Sequence, residues 1–96
     1  MLEIKIEKSF KKDIQRDKKS GKCLQKDLEL LKSIIISLQK QETIDKKYKR
    51  HPLKGNMSGL ESIHIKNDWL LIFKIEEIYL TLVMLGKHTQ VYQKFK

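Results

Sequence analysis

Three histidines and one aspartate in the second half of the chain are of types that can do chemistry. His51 opens the run His51-Pro52-Leu53-Lys54-Gly55, His64 lies shortly before the pair Asp68-Trp69, and His88 closes Gly86-Lys87-His88. An imidazole, with an ordinary pKa of about 6.5, both takes and gives protons near neutral pH. The chain carries 21 Lys and Arg against 12 Asp and Glu, a formal net charge of +9. Imidazoles on so basic a chain point to acid–base chemistry on an anion, and the charge draws it to polyanions. Arg16 and Arg50 are the only arginines. Lysine is a hydrated point charge, so this composition favours attraction to phosphate over readout of bases. Charge alone fits RNA, DNA or an acidic protein, and a lysine-rich solvated surface would look the same.

Taken singly, each residue also has an ordinary reading. His51 before a proline suits a loop, His64 a surface strand, Asp68 a tight turn, and Trp69 and Phe73 a core. Metal binding is the other sharp reading of three histidines and an aspartate. No two of the histidines stand at the helical His-x3-His spacing, so the pattern carries no metal signature and no cofactor is expected.

The elements that must position these residues follow from periodicity. The 96 residues are enough for one domain, spanning 1–96, that folds without disulfides. Cys23 is the only cysteine and has no partner in the chain, which fits a reducing cytoplasm. The segment Leu2–Glu7 alternates, with Leu2, Ile4 and Ile6 on one side, and reads as a half-buried strand rather than a leader. No apolar run approaches the roughly 20 residues of a membrane span. Ser9 is a candidate N-cap for a first helix carrying Phe10 and Ile14. Ser20-Gly21 breaks that helix, and a second runs from about Lys22 to Lys40 with Leu24, Leu28, Leu31, Ile35 and Leu38 in one seam. From Gln39 to Gly59 the pattern loosens into a basic loop.

Three strands follow, Leu60–Lys66, Trp69–Ile75 and Ile78–Leu85, with Asn67-Asp68 and Glu76-Glu77 at the hairpin turns. That register pairs Lys66 with Trp69, His64 with Leu71, Ile75 with Ile78 and Trp69 with Met84. Alternation then places Ile63, Ile65, Leu70, Ile72, Val83 and Leu85 against the helices, and His64, Trp69, Phe73, Leu82 and Met84 on the opposite face.

The motifs His51-Pro52-Leu53-Lys54-Gly55, then Ser62 through Lys74 with its His64 and Asp68-Trp69, then Gly86-Lys87-His88, resemble the YafQ branch of the RelE superfamily of bacterial toxins. The likeness spans nearly the whole chain. It implies an α+β fold, RelE-like, with an N-terminal strand and two helices packed on a curved, mostly antiparallel four-stranded sheet. It implies a ribosome-dependent mRNA endoribonuclease, or mRNA interferase, that cuts the messenger in the ribosomal A site. The implied partners are a cognate acidic antitoxin of the DinJ/RelB kind and mRNA on the ribosome, with the chain monomeric when alone. His51, His64, Asp68 and His88 match the family's catalytic positions, and Trp69 and Tyr92 its aromatic ones. Lys54, Lys87 and Arg50 are the expected contacts to RNA. Met84 departs from the pattern, standing where the family typically carries an arginine. A catalytically weak or inactive protein of the same fold, binding RNA or an antitoxin, is therefore the alternative. The gyrase-poisoning branch lacks the histidine set, which argues against it.

RNA cleavage by the neighbouring 2′-hydroxyl needs a base, an acid for the leaving 5′ oxygen, and positive charge for the pentavalent phosphate. Histidines and an aspartate supply the first two, and spacing does not assign acid and base among them. Losing one preorganised charge costs on the order of a hundredfold, which Lys87 or Lys54 would make up only in part.

Overall fold

The computed structural model describes residues 1–94. Its elements run β1 (Glu3–Ile6), α1 (Lys8–Lys19), α2 (Gln25–Gln39), β2 (His51–Pro52), β3 (Glu61–Lys66), β4 (Trp69–Glu76), β5 (Tyr79–Gly86) and α3 (His88–Lys94), with short 3-10 turns at Lys46–Tyr48 and Gly55–Met57. All five strands join one sheet in the order β1-β5-β4-β3-β2. β1 runs parallel to β5 and the other pairs are antiparallel. The α+β class is as expected. The sheet has five strands rather than four, because His51-Pro52 pairs with Ser62 and Glu61 instead of staying in a loop.

The register departs from simple alternation at three places. Lys66 faces Trp69 as expected, but His64 faces Leu70, because one extra residue, Ile65, is accommodated between the two pairs. The second hairpin turns at Glu77-Ile78, with Glu77 in the left-handed region at φ 53, so Glu76 faces Tyr79. Ile72 faces Met84 and Phe73 faces Leu82, which leaves Val83 as a second bulge residue. Each extra residue reverses which side chains point to which face beyond it.

The faces are therefore partly exchanged from the expected assignment. α1 lies against β5 and α2 against β3. Between helices and sheet lie Phe10, Leu31, Ile34, Leu38, Ile63, Ile65, Trp69, Leu71, Phe73, Leu80, Leu82 and Leu85. Leu70, Ile72, Val83 and Met84 form a smaller apolar cluster with Met57 and Val91. Trp69, Phe73 and Leu82 thus belong to the helix side, whereas Leu70, Ile72 and Val83 do not.

The helices differ in detail from their expected bounds. Glu7 rather than Ser9 precedes α1, and Ser9 instead donates its hydroxyl to the carbonyl of Val83, the bulge residue. Leu24 precedes α2 and is 52% exposed rather than part of the seam. Its backbone N–H donates to Asp27 Oδ2 at 3.0 Å, half of a capping box. α3 was not anticipated. It is short, with Val91 fully buried beneath it, and Gln90 accepts the backbone N–H of Lys87 at 2.9 Å at its start.

Candidate functional site

β2, β3 and the start of α3 bring the three histidines into a row. The ring centroids of His51 and His64 are 6.2 Å apart, and those of His64 and His88 are 5.2 Å apart. Tyr92 follows one turn after His88 on α3 and stacks on its ring, with centroids 5.9 Å apart and planes 13° from parallel. The row exists because β2 pairs with β3, placing His51 opposite Ser62, and because β5 ends where α3 begins.

Two of the rings have their tautomer set by an acceptor. Asp68 Oδ1 accepts both the backbone N–H of His88 at 3.0 Å and its ring Nδ1–H at 2.6 Å. The Asp68 carboxyl is pulled below the ordinary carboxylate range, first by the backbone N–H of His88 and then by its ring N–H. It is thus an ionised acceptor, so the His88 proton sits on Nδ1 and Nε2 is left for chemistry. His51 Nδ1 lies 2.7 Å from the carbonyl of Lys49, which only accepts, so this ring too carries its proton on Nδ1. Lys49 turns its carbonyl this way from a left-handed conformation at φ 50, uncommon for a lysine.

His64 is different. Its Nδ1 is buried and has no hydrogen-bond partner among the described residues. Burial pushes its pKa below 6.5, and the nearby His88, Lys49 and His51 push it the same way. A proton on Nδ1 would leave a buried donor unpaired, so the neutral ring with its proton on Nε2 is favoured.

The remaining expected residues are placed less directly. Trp69 is not a stacking platform beside the histidines. It is 4% exposed on the helix side and donates its indole N–H to Asp17 Oδ2 at 2.7 Å. Arg50 is held in a two-point pair by Glu61, Nε to Oε1 at 2.9 Å and Nη2 to Oε2 at 3.2 Å, and lies over the ring of Phe73. Arg16 is bonded to Asp13, Asp17 and the carbonyl of Leu85. Both arginines are thus held in carboxylate pairs that offset their charge. Lys87 is exposed next to His88, and Lys54 is exposed before the Gly55–Met57 turn. Met84 is 4% exposed in the smaller apolar cluster, where it fills space and offers no charge.

Sequence reasoning missed the network that holds the site from α1. Asp13 Oδ2 accepts the backbone N–H of Leu85 at 3.0 Å, while Arg16 Nη2 donates to the carbonyl of the same residue at 3.1 Å. Asp13, Arg16 and Asp17 are spaced to share one face of a helix, and that spacing is the signal that could have found them. On the other side of the turn, Lys66 Nζ donates to Asp27 and to the carbonyl of Lys22, both at 2.7 Å. The Asp27 carboxyl is lowered by this bond with Lys66 first and by the Leu24 N–H second.

Comparison with known proteins identifies the family and the fold. Residues 2–93 match the family model described as the bacterial toxin of type II toxin-antitoxin system, YafQ. The mRNA interferase toxin YafQ of Escherichia coli K12 is 30% identical over 94 residues, covering 96% of this chain and 99% of that protein. A metal-bound toxin from Helicobacter pylori has a TM-score of 0.84 at 38% identity, covering 95% of this chain and 99% of that one. The toxin of the Escherichia coli DinJ-YafQ complex has a TM-score of 0.81 at 27% identity, covering 96% and 99%. Among the described residues of this chain, no group of three or more His, Cys, Asp or Glu side chains is arranged to hold a metal ion. The match along nearly its whole length shows that the chain belongs to the YafQ family of bacterial toxins of type II toxin-antitoxin systems.

Proposed function

We propose that this chain, as a single toxin domain, cleaves messenger RNA on the ribosome through the row His51, His64, His88. The observation that carries the reading is the order of the row, with His64 between the other two. In-line displacement at phosphorus puts the attacking and leaving oxygens on opposite sides. A base and an acid flanking a central donor match that demand.

In this scheme His51 Nε2 takes the proton from the 2′-hydroxyl as the 2′ oxygen bonds to phosphorus. The bond from phosphorus to the 5′ oxygen breaks, and His88, doubly protonated and facing Asp68, gives its Nε2 proton to that oxygen. The products are a 2′,3′-cyclic phosphate and a free 5′-hydroxyl. His64, neutral with a proton on Nε2, donates to a non-bridging oxygen as charge builds there, a service typically worth about 10²–10³ in rate. Lys87 supplies diffuse positive charge.

The partner is an acidic antitoxin, as the DinJ-YafQ assembly of the relative suggests, and neutralising part of the +9 charge is its electrostatic gain. Among the described residues no helix is long and apolar enough to cross a membrane. The site of action is the cytoplasm, where the ribosomes are. A binding-only protein remains the second reading, because Met84 sits in an apolar cluster and both arginines are paired. Primer extension on a translated reporter messenger decides between them. Discrete cuts from the wild type that vanish with His88→Ala support the nuclease, and intact messenger from the wild type rejects it.

A further inference from the structure

Beside the histidine row lies a cavity that the scheme above does not use. It measures about 390 Å³ and opens between the α1–α2 turn, the β3–β4 hairpin and the start of α3, lined by Lys22, Leu24, Asn67, Asp68, Trp69 and Lys87, with Gln90 at one side. Its volume falls within the roughly 300–1,000 Å³ of small-ligand sites.

We infer that this cavity receives the base of a nucleotide flanking the scissile phosphate. The inference rests on the proposed function, since it places the scissile phosphate at His88. Three observations carry it. Asp68 belongs to both places, lining the cavity and holding His88 through two hydrogen bonds. A strand with its phosphate at His88 therefore has a neighbouring base within reach of the opening. The chemistry of the lining suits a nucleotide. Leu24, half exposed, gives apolar surface for the flat face of a base, with the nearly buried Trp69 in the floor beneath it, while the Asn67 and Gln90 amides can bond its edge.

The third observation is charge. Of the carboxylates in the lining, Asp17 is tied to Arg16 and Trp69, and Asp68 to His88. Lys66 is tied to Asp27. Lys22 and Lys87 are in none of the salt bridges among the described residues, although Lys87 lies near enough to Asp68 to help hold its carboxyl ionised. An apolar floor with two ammonium groups outside any salt bridge at its rim, beside amides that can bond a base edge, complements a base carried on phosphates. Leu24 is the exposed residue that makes this possible. At the position before α2 an Asp, Asn or Ser would cap the helix better, yet this chain has a half-exposed leucine there.

Trp69 is the only tryptophan in the chain, so its fluorescence reports on the cavity. The probe is a 2′-O-methyl trinucleotide, which cannot be cut, titrated into the wild type, His88→Gln, Leu24→Asn and Leu24→Asp. Both Leu24 variants place a favourable N-cap on α2 and keep the fold. A saturable change is expected in the wild type and in His88→Gln. The dissociation constant should rise at least about fivefold in Leu24→Asn and further in Leu24→Asp, and similarly for a wild-type titration with an abasic flanking position. Equal affinities across the Leu24 variants and the abasic probe overturn the inference. So does binding seen by anisotropy with no change at Trp69, the absence of any binding, or a Trp69 response to an acidic antitoxin peptide alone. The nuclease reading stands or falls separately, on cuts in the reporter messenger.

Discussion

The indole N–H of Trp69 donates to Asp17 across 2.7 Å in the interior, tying the first residue of β4 to the end of α1. Asp17 is 1% exposed, and Arg16 donates to its other oxygen at 3.0 Å. Asp68 stands next to Trp69, and Leu85, which both Asp13 and Arg16 grip, stands three residues before His88. The α1 network therefore fixes both chain segments that carry the His88–Asp68 pair. Asp17→Ala would leave a buried indole N–H without an acceptor, at a cost of about 1–3 kcal/mol. For a domain of this size that is a fall in Tm of roughly 5–20 °C. Thermal unfolding followed by far-UV circular dichroism reads it, and a Tm within 2 degrees or so of the wild type would contradict the assignment.

His88 and Asp68 separate by what each loses. His88→Ala removes the proposed acid and should lower cleavage by about 10²–10⁴-fold. Asp68→Asn keeps the size of the side chain and one oxygen that can accept, but it removes the carboxylate charge and lets the amide present its NH2 to the ring instead, so the ring can turn or change tautomer. A loss of at least tenfold is expected, with the fold intact because Asp68 is exposed. Cleavage rates measured on one reporter messenger at saturating ribosomes test this. Full activity in Asp68→Asn would show that the pair does not orient the acid.

How far the molecule was legible in its sequence depends on what each feature rests on. The strand at Glu3–Ile6 and the Lys66–Trp69 pair follow from alternation and turn residues, and the structure has both, but all four residues of that edge strand, Ile4 and Ile6 included, are exposed rather than half-buried. The faces do not follow, because the extra residues at Ile65 and Val83 leave no mark in the pattern. Alternation alone puts Trp69 on the wrong face for that reason. α3 escaped because Thr89, Gln90 and Gln93 leave Val91 as its one buried apolar residue, too little for a period. Among the candidate site residues, the histidines and Asp68 stood out by type. The Lys49 carbonyl that sets the tautomer of His51 did not, since backbone acceptors have no signature.

Met84 tests whether this chain uses an arginine at that position at all. Its neighbours Met57, Leu70, Ile72, Val83 and Val91 are apolar, and none can pair a guanidinium. Met84→Leu conserves volume and should cost less than about 1.5 kcal/mol, with cleavage unchanged. Met84→Arg places a charge in that cluster without a partner and should lower stability by about 2 kcal/mol or more. Urea unfolding of both variants beside the wild type measures this. An Met84→Arg protein as stable as the wild type and more active would mean that the side chain reaches the phosphate, and that the missing charge limits the rate.

His64 supplies a pH dependence with a defined sign. Burial holds its pKa below 6.5, so over the interval below that value the unfolded chain binds more protons than the folded one. Stability therefore rises with pH through this interval and is lost as pH falls below about 6.5. Asp68 also has a lowered pKa, but its contribution begins to be lost only below about pH 4, well below the pH at which that of His64 begins to be lost. His64→Gln removes the penalty and should flatten the difference in urea midpoint between pH 7 and pH 5 relative to the wild type. Comparing the two proteins at fixed ionic strength cancels the remaining groups. Parallel pH profiles would mean that His64 accepts a proton freely in the folded state, and the neutral central donor would have to be given up.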